Sequence, residues 1–161
     1  MSAEINGVNK ELYLGLVKLL SKKDYSRFSL TQKFQAKGFS SDEIEYCLQE
    51  LENKKFYQEN NYTEMRVKYW LRKGYNFTMI LYKAKEERLS LEMSDLKIMA
   101  QDLGYDPLEQ MRNIFAKRFA AKWERDDLDP LVRQKLEQKI LRYFLSKNHS
   151  LGDIKQLLQK H

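Results

Sequence analysis

Residues that break regular structure are scarce in this chain: six glycines and two prolines among 161 residues. Sandwiches and barrels of short strands need turn signals roughly every 8–12 positions, so an all-β fold is not expected. Both prolines also sit in Asp-Pro pairs, Asp106-Pro107 and Asp129-Pro130. Aspartate accepts from the free N–H groups of a first helical turn, and proline at the first helical position forfeits no helical bond. The residues that usually interrupt helices therefore read here as helix starts. Glu109, three residues after Asp106, adds negative charge near the positive end of the helix dipole.

Periodicity supports the same reading. Leu12, Leu16, Leu19 and Leu20 recur at i, i+4, i+7 and i+8, one face of a helix. Asp24-Tyr25-Ser26 breaks that pattern, and the Ser29-x-x-Gln32 spacing predicts a capping box opening a second helix near Ser29. Leu30 and Phe34 form its apolar stripe, and Gly38 is placed to close it in the left-handed conformation. Ser40-x-x-Glu43 predicts the start of a third helix with Ile44, Cys47, Leu48 and Leu51 on one side. Lys55 to Tyr62 is too polar for a strand, and the first ten residues lack periodicity and read as a loose tail.

The chain also resembles itself. A shift of 110 residues lays Leu30, Phe34, Gly38, Ser40, Ile44 and Leu48 on Ile140, Phe144, Asn148, Ser150, Ile154 and Leu158. Each pair shares a physical role: core position, left-handed cap, N-cap serine, core position again. A shift of about 50 sets Leu30 on Ile80, Phe39 on Leu89 and Ser40 on Ser90, and two inserted residues then bring Leu96 and Ala100 into the places of Ile44 and Leu48. The expected architecture is all-α, an elongated array of three tandem three-helix repeats with about nine helices. Residues 1–10 form the tail, 11–56 the first repeat, 57–104 the second and 105–161 the third.

These residues resemble the RecX family, bacterial modulators of the RecA recombinase. That family runs as tandem three-helix repeats that open on an Arg- or Tyr-Ser stretch. A helix ending Lys-Gly-Phe follows, then a helix with an Ile/Leu stripe. Here those positions are Tyr25-Ser26-Arg27, Lys37-Gly38-Phe39, and Ile44, Leu48 and Leu51. The family continues with an aromatic, an acidic pair, an Arg and a helix closing in a basic-basic-Gly turn. This chain has Phe56-Tyr57, Gln58-Glu59, Asn61 and Arg72-Lys73-Gly74. Half of the acidic pair is kept, and Asn61 stands where the family has Arg. The resemblance implies a monomeric protein that binds RecA and its single-stranded DNA filament, lying along the filament groove. By that occupancy it would inhibit recombinase, ATPase and coprotease activities and modulate DNA repair and the SOS response. Direct contact with DNA is a further implied possibility.

Chemistry-bearing residues are few. Two histidines, His149 and His161, and one cysteine, Cys47, supply no zinc site of the usual spacing. The six glycines are scattered and form no phosphate-binding loop. His149 takes the register position of Phe39 and reads as a packing residue, and Cys47 as a small buried hydrophobe. An enzyme is therefore not expected, nor a metal or other cofactor. No apolar run exceeds about four residues, as at Met79 to Tyr82, so no membrane partner is expected. The start of the chain lacks signal-peptide character. One cysteine permits no intramolecular disulfide, which agrees with a cytoplasmic location.

The remaining sequence signal is charge. Formal net charge is +6, and residues 1–60 balance nine Lys/Arg with nine Asp/Glu, so the whole excess lies after residue 60. Two clusters are candidate contacts for RecA or nucleic acid: Arg66, Lys68, Arg72 and Lys73 on one predicted helix, and Lys117, Arg118, Lys122 and Arg125 along the helix begun by Pro107. On a helical wheel Lys68 and Arg72 are neighbours, Arg66 and Lys73 flank Tyr69, and Val67, Trp70 and Leu71 hold the inner side. Phe115, Phe119 and Trp123 could be a stacking row for bases but read first as core. A stand-alone nucleic-acid-binding protein is the alternative function. A helix-turn-helix at Ser29 to Leu51 is disfavoured, because its recognition helix would carry Asp42, Glu43, Glu45, Glu50 and Glu52 toward phosphates.

Overall fold

The computed structural model describes residues 4, 5 and 7–160. The molecule is an all-α helical-repeat array, with 71% of the described residues helical. Its helices are α1 (Lys10–Leu20), α2 (Arg27–Gln35), α3 (Ser41–Asn53), α4 (Glu59–Arg72) and α5 (Phe77–Glu86). They continue with α6 (Met93–Leu103), α7 (Pro107–Arg118), α8 (Ala120–Trp123), α9 (Pro130–Ser146) and α10 (Leu151–Gln159).

Both Asp-Pro pairs open helices. The Asp106 carboxylate accepts from the N–H groups of Leu108 and Glu109 at 2.7 and 3.1 Å. The Asp129 carboxylate accepts from Leu131 N–H at 2.8 Å. Ser40 and Glu43 form the expected capping box of α3. The second helix differs from expectation. It starts at Arg27, capped by Ser26, whose hydroxyl accepts from Ser29 N–H at 3.1 Å. Ser29 thus lies within the first turn, and the Ser29-x-x-Gln32 pattern is incidental.

Two further differences concern extent. The helix begun by Pro107 stops at Arg118, and Phe119 turns the chain (φ −127°, ψ −30°) before the single-turn α8. That interruption accounts for a tenth helix among the described residues. Ahead of α1, β1 (Glu4–Ile5) and β2 (Val8–Asn9) make a minimal antiparallel pair, with Ile5 opposite Val8. Val8 is buried and the Asn9 side chain caps α1 by accepting from Leu12 N–H at 3.2 Å. Residues 8 and 9 are therefore anchored by packing and capping.

The chain folds as two compact units. One comprises residues 1–65 with 86–89, the other 66–85 with 90–161. The core of the first gathers Leu12, Leu16, Leu30, Phe34, Ile44, Cys47, Leu48 and Leu51. In the second, Met111, Phe115, Phe119, Trp123, Ile140, Phe144 and Ile154 pack together. Each large apolar side chain so buried contributes about 1.5–3 kcal/mol relative to exposure.

The internal repetition of the sequence is a repetition of backbone geometry. Gly38, Arg88 and Asn148 all occupy the left-handed region, at φ 96°, 59° and 65°. Phe39 N–H donates to Phe34 O at 3.2 Å, and His149 N–H to Phe144 O at 3.1 Å. Leu30, Ile80 and Ile140 are each fully buried, as are Ile44, Leu96 and Ile154. The middle copy differs at its cap. There the two inserted residues move the start of α6 from Ser90 to Glu92, whose N–H donates to the Asp95 carboxylate at 3.3 Å.

Candidate functional site

The first predicted cluster lies at the end of α4. Val67, Trp70 and Leu71 are buried, which fixes the helix rotation and leaves the basic side chains on the outer face. The Arg66 guanidinium lies over the rings of Tyr69 (5.1 Å) and Trp70 (4.8 Å), and the Lys73 ammonium over Tyr69 at 5.5 Å. Arg72 donates through Nε to the Tyr105 hydroxyl at 3.2 Å. Lys68 is half-buried on the same helix. Ring contacts of this kind orient a cation while its head keeps access to water.

The second cluster is not one stripe. Lys117 and Arg118 close α7, Lys122 belongs to α8, and Arg125 follows it, so the kink at Phe119 divides the four residues. Arg125 is engaged by Asp127 through two bonds of 2.9 and 2.7 Å. That bidentate contact raises the Arg125 pKa and holds the Asp127 carboxyl below its ordinary range. Phe115, Phe119 and Trp123 are 0%, 7% and 7% exposed, so the aromatic row is core.

Arg118 instead joins a different group. Its guanidinium sits 4.8 Å from the ring centre of Tyr143 on α9. Lys147 lies over Tyr143 (5.4 Å) and Tyr75 (4.1 Å), and Lys83 over Tyr75 at 4.7 Å. Cations and tyrosines thus alternate from α5 through the end of α9 to α7. Beside them runs a groove between α7 and α9 lined by Arg118, Lys135, Lys139 and Arg142, with Gln138, Phe119 and Tyr143. Its charged lining is wholly positive. Of these cations only Arg118 belongs to a cluster predicted from sequence. The signal for the others is the i, i+4, i+7 spacing of Lys135, Lys139 and Arg142 on one predicted helix.

The first unit is charged differently. Arg27, about a quarter exposed, makes ion pairs with Glu45 at 2.8 Å and with Glu52, and its N–H donates to Glu59 at 2.8 Å. Burial works against the Arg27 charge, but Glu45 and Glu52 outweigh it and raise the pKa. Glu45 and Glu52 are thereby held in place on α3, whose acidic face is poorly suited to phosphates. Buried Cys47 has its thiol pKa raised by burial, so it stays protonated.

His149 is 4% exposed, and its Nε2 lies 2.6 Å from the carbonyl of Gly74. Its ring packs edge-on against Phe144 at 6.0 Å, where Phe39 faces Phe34 at 6.2 Å in the first unit. It is a packing residue that also satisfies a buried carbonyl. Next to it, Asn76 N–H donates to Lys147 O at 3.0 Å, and the Asn76 and Asn148 amides bond to each other's segment.

No group of three or more His, Cys, Asp or Glu among the described residues could hold a metal ion. A hollow between α7 and α10, lined by Leu108, Met111 and Leu157 among others, holds only about 160 Å³. Small-molecule sites usually offer roughly 300–1,000 Å³. No described helix is long and apolar enough to cross a membrane.

Fold and surface together define an all-α helical-repeat protein that presents cations mounted on aromatic rings. No protein-family model matches the sequence. Curated proteins do. The chain is 33% identical over 131 residues to the regulatory protein RecX of Mannheimia succiniciproducens, covering 81% of this chain and 80% of that one. It is 27% identical to the regulatory protein RecX of Pseudomonas fluorescens over 87% and 84% of the two chains. With that of Haemophilus influenzae strain PittEE it shares 29% over 81% and 82%. The chain belongs to the RecX family, a family of regulatory proteins.

Proposed function

We propose that this protein binds RecA and the RecA filament on single-stranded DNA, and inhibits the recombinase, ATPase and coprotease activities of that filament. It acts as a non-enzymatic cytoplasmic monomer in the regulation of DNA repair and the SOS response. Kinship with regulatory RecX proteins over 81–87% of the chain carries the reading. The repeat architecture supports it physically. An array of similar units can place modest contacts on several filament subunits, and linked contacts multiply affinity for filament over free monomer. Arg66, Arg72 and Lys73, exposed or half-exposed on the outer face of α4, supply part of the attraction.

A pulldown with immobilised protein tests this reading. RecA assembled on single-stranded DNA is retained and DNA-free RecA is retained much less. Equal loss of both to the flow-through contradicts it. Charge reversal at Arg66, Arg72 and Lys73 weakens filament retention, whereas unchanged retention would make those residues solvated surface. A stand-alone nucleic-acid-binding protein, the alternative, would leave RecA activity untouched at equimolar concentration.

A further inference from the structure

We propose that the hollow between α7 and α10 is a docking seat for a short extended protein segment that presents one aliphatic side chain, with an asparagine after it and acidic residues before it. The seat is separate from the α4 stripe, and the inference goes beyond the RecA reading and does not rest on it.

The first repeat shows what occupies such a seat. There β2 packs against α1 and α3. Val8 is 6% exposed and joins the core that holds Cys47 and Leu51. Gly7 lies against Tyr46, whose hydroxyl an added Cβ would meet at 3.4 Å. The Asn9 side-chain amide donates to Glu43 Oε1 at 3.5 Å, and the Asn9 backbone bonds to the Cys47 thiol. The shift of 110 residues that aligns α3 with α10 lays Glu43, Tyr46 and Cys47 on Asp153, Gln156 and Leu157. All three line the hollow. The residues ahead of α7 are engaged elsewhere: Tyr105 N–H donates to Ala100 O at 2.8 Å, and its hydroxyl accepts from Arg72. The helix face that the first repeat covers with its own chain is therefore open in the third.

Size and charge define the occupant. Leu108, Met111 and Leu157 give the hollow an apolar lining, and its volume is about 160 Å³. A cavity of about 150 Å³ holds a benzene-sized group, so one aliphatic side chain fills this one. Protein segments use such an anchor pocket, and a phosphate backbone has no need of it. Glu50 of α3 aligns with Lys160, which also lines the hollow, and Arg112 joins it from α7. Two acids of α3 thus give way to one acid and two cations, which favours an occupant of negative charge. Asp153 keeps the acceptor that Glu43 offers to Asn9, and so suits an amide donor. In the first repeat the segment runs from Gly7 at Tyr46 toward Asn9 at Glu43. Residues ahead of the aliphatic anchor would then lie toward Lys160, where acids are favoured.

The test is methyl NMR of the full chain without RecA, titrated with acetyl-Glu-Asp-Gly-Val-Asn-amide to ~5 mM at about 50 mM KCl, where charge is weakly screened. The Met111 and Leu157 methyl signals should shift and saturate with Kd at or below ~1 mM, a range open to a ligand with one anchor. A serine in place of the valine should weaken binding at least ~10-fold, the worth of a buried aliphatic side chain. The variant R112E/K160E should bind the acidic peptide at least ~5-fold more weakly and prefer a peptide with two lysines in place of the acids. Both replaced cations are exposed, and unmoved Leu16 and Leu48 signals confirm that the variant folds. Unmoved Met111 and Leu157 signals at the highest peptide concentration, or equal affinity for the valine and serine peptides, overturn the proposal. So does a preference for acids that survives R112E/K160E. Shifts of the same signals on raising protein concentration without peptide also overturn it, and would make the seat a contact for the β1–β2 hairpin of a second copy. Because RecA is absent, failure here leaves the RecA reading standing, and a null RecA result leaves this one.

Discussion

Two residues of the second unit show how local chemistry is tied to long-range packing. Gly74 has φ +85°, which L side chains rarely adopt, and an added Cβ would displace the δ-methyl of Ile114. Gly74→Ala therefore strains the backbone and crowds the Ile114 side chain, and is expected to destabilise the protein by about 1–2 kcal/mol in urea denaturation. Its carbonyl partner, His149, makes a pH prediction. Burial holds the His149 pKa below 6.5, against the raising influence of the Gly74 bond and of Asp153, while nearby Lys147 lowers it further. In the unfolded chain the imidazole titrates near 6.5. Between those values the unfolded state binds more protons, so stability rises with pH through the interval. The contribution is fully present above 6.5 and is lost as pH falls below it. His149→Phe should make stability flatter between pH 7.5 and 5 than in the parent. An equally steep decline in both would show that other groups govern it.

Among elements, helix starts give the sharpest contrast. Ser40 and Ser90 occupy the same register in the sequence, yet only Ser40 caps a helix, because two inserted residues pass that role to Glu92. Ser40→Ala should cost about 1 kcal/mol in chemical denaturation. Ser90→Ala should cost less than about 0.5 kcal/mol, as for an ordinary surface change. The Asp-Pro starts, the Gly38 and Asn148 turns and the α3 box were all legible, since each depends on residues within a few positions. The start of α2 was not. Ser26 and Ser29 both have serine chemistry, and Arg27 N–H is met by Glu59, 32 residues away. Nor was the break at Phe119, where the ring must reach Tyr143 and Phe144 while Trp123 Nε1 donates to Leu158 O at 3.3 Å. The α4 stripe was legible because one helix defines it. The α7–α9 groove was not, because Arg118 meets Lys139 and Arg142 only when two helices pack.

At the scale of the whole molecule, the near-neutral balance of residues 1–60 becomes a contrast between units. The unit containing α2 and α3 is slightly acidic and internally ion-paired, and the other holds the entire positive excess. The proposed filament binding, drawing on that excess, should weaken steeply with salt, within the screening range of about 10 Å at 0.1 M. The proposed regulation of RecA is read most directly by single-stranded-DNA-dependent ATP hydrolysis by RecA. Adding the purified protein at well below one molecule per RecA subunit should slow hydrolysis progressively, in parallel with strand exchange. Undiminished hydrolysis at an equimolar ratio would contradict it.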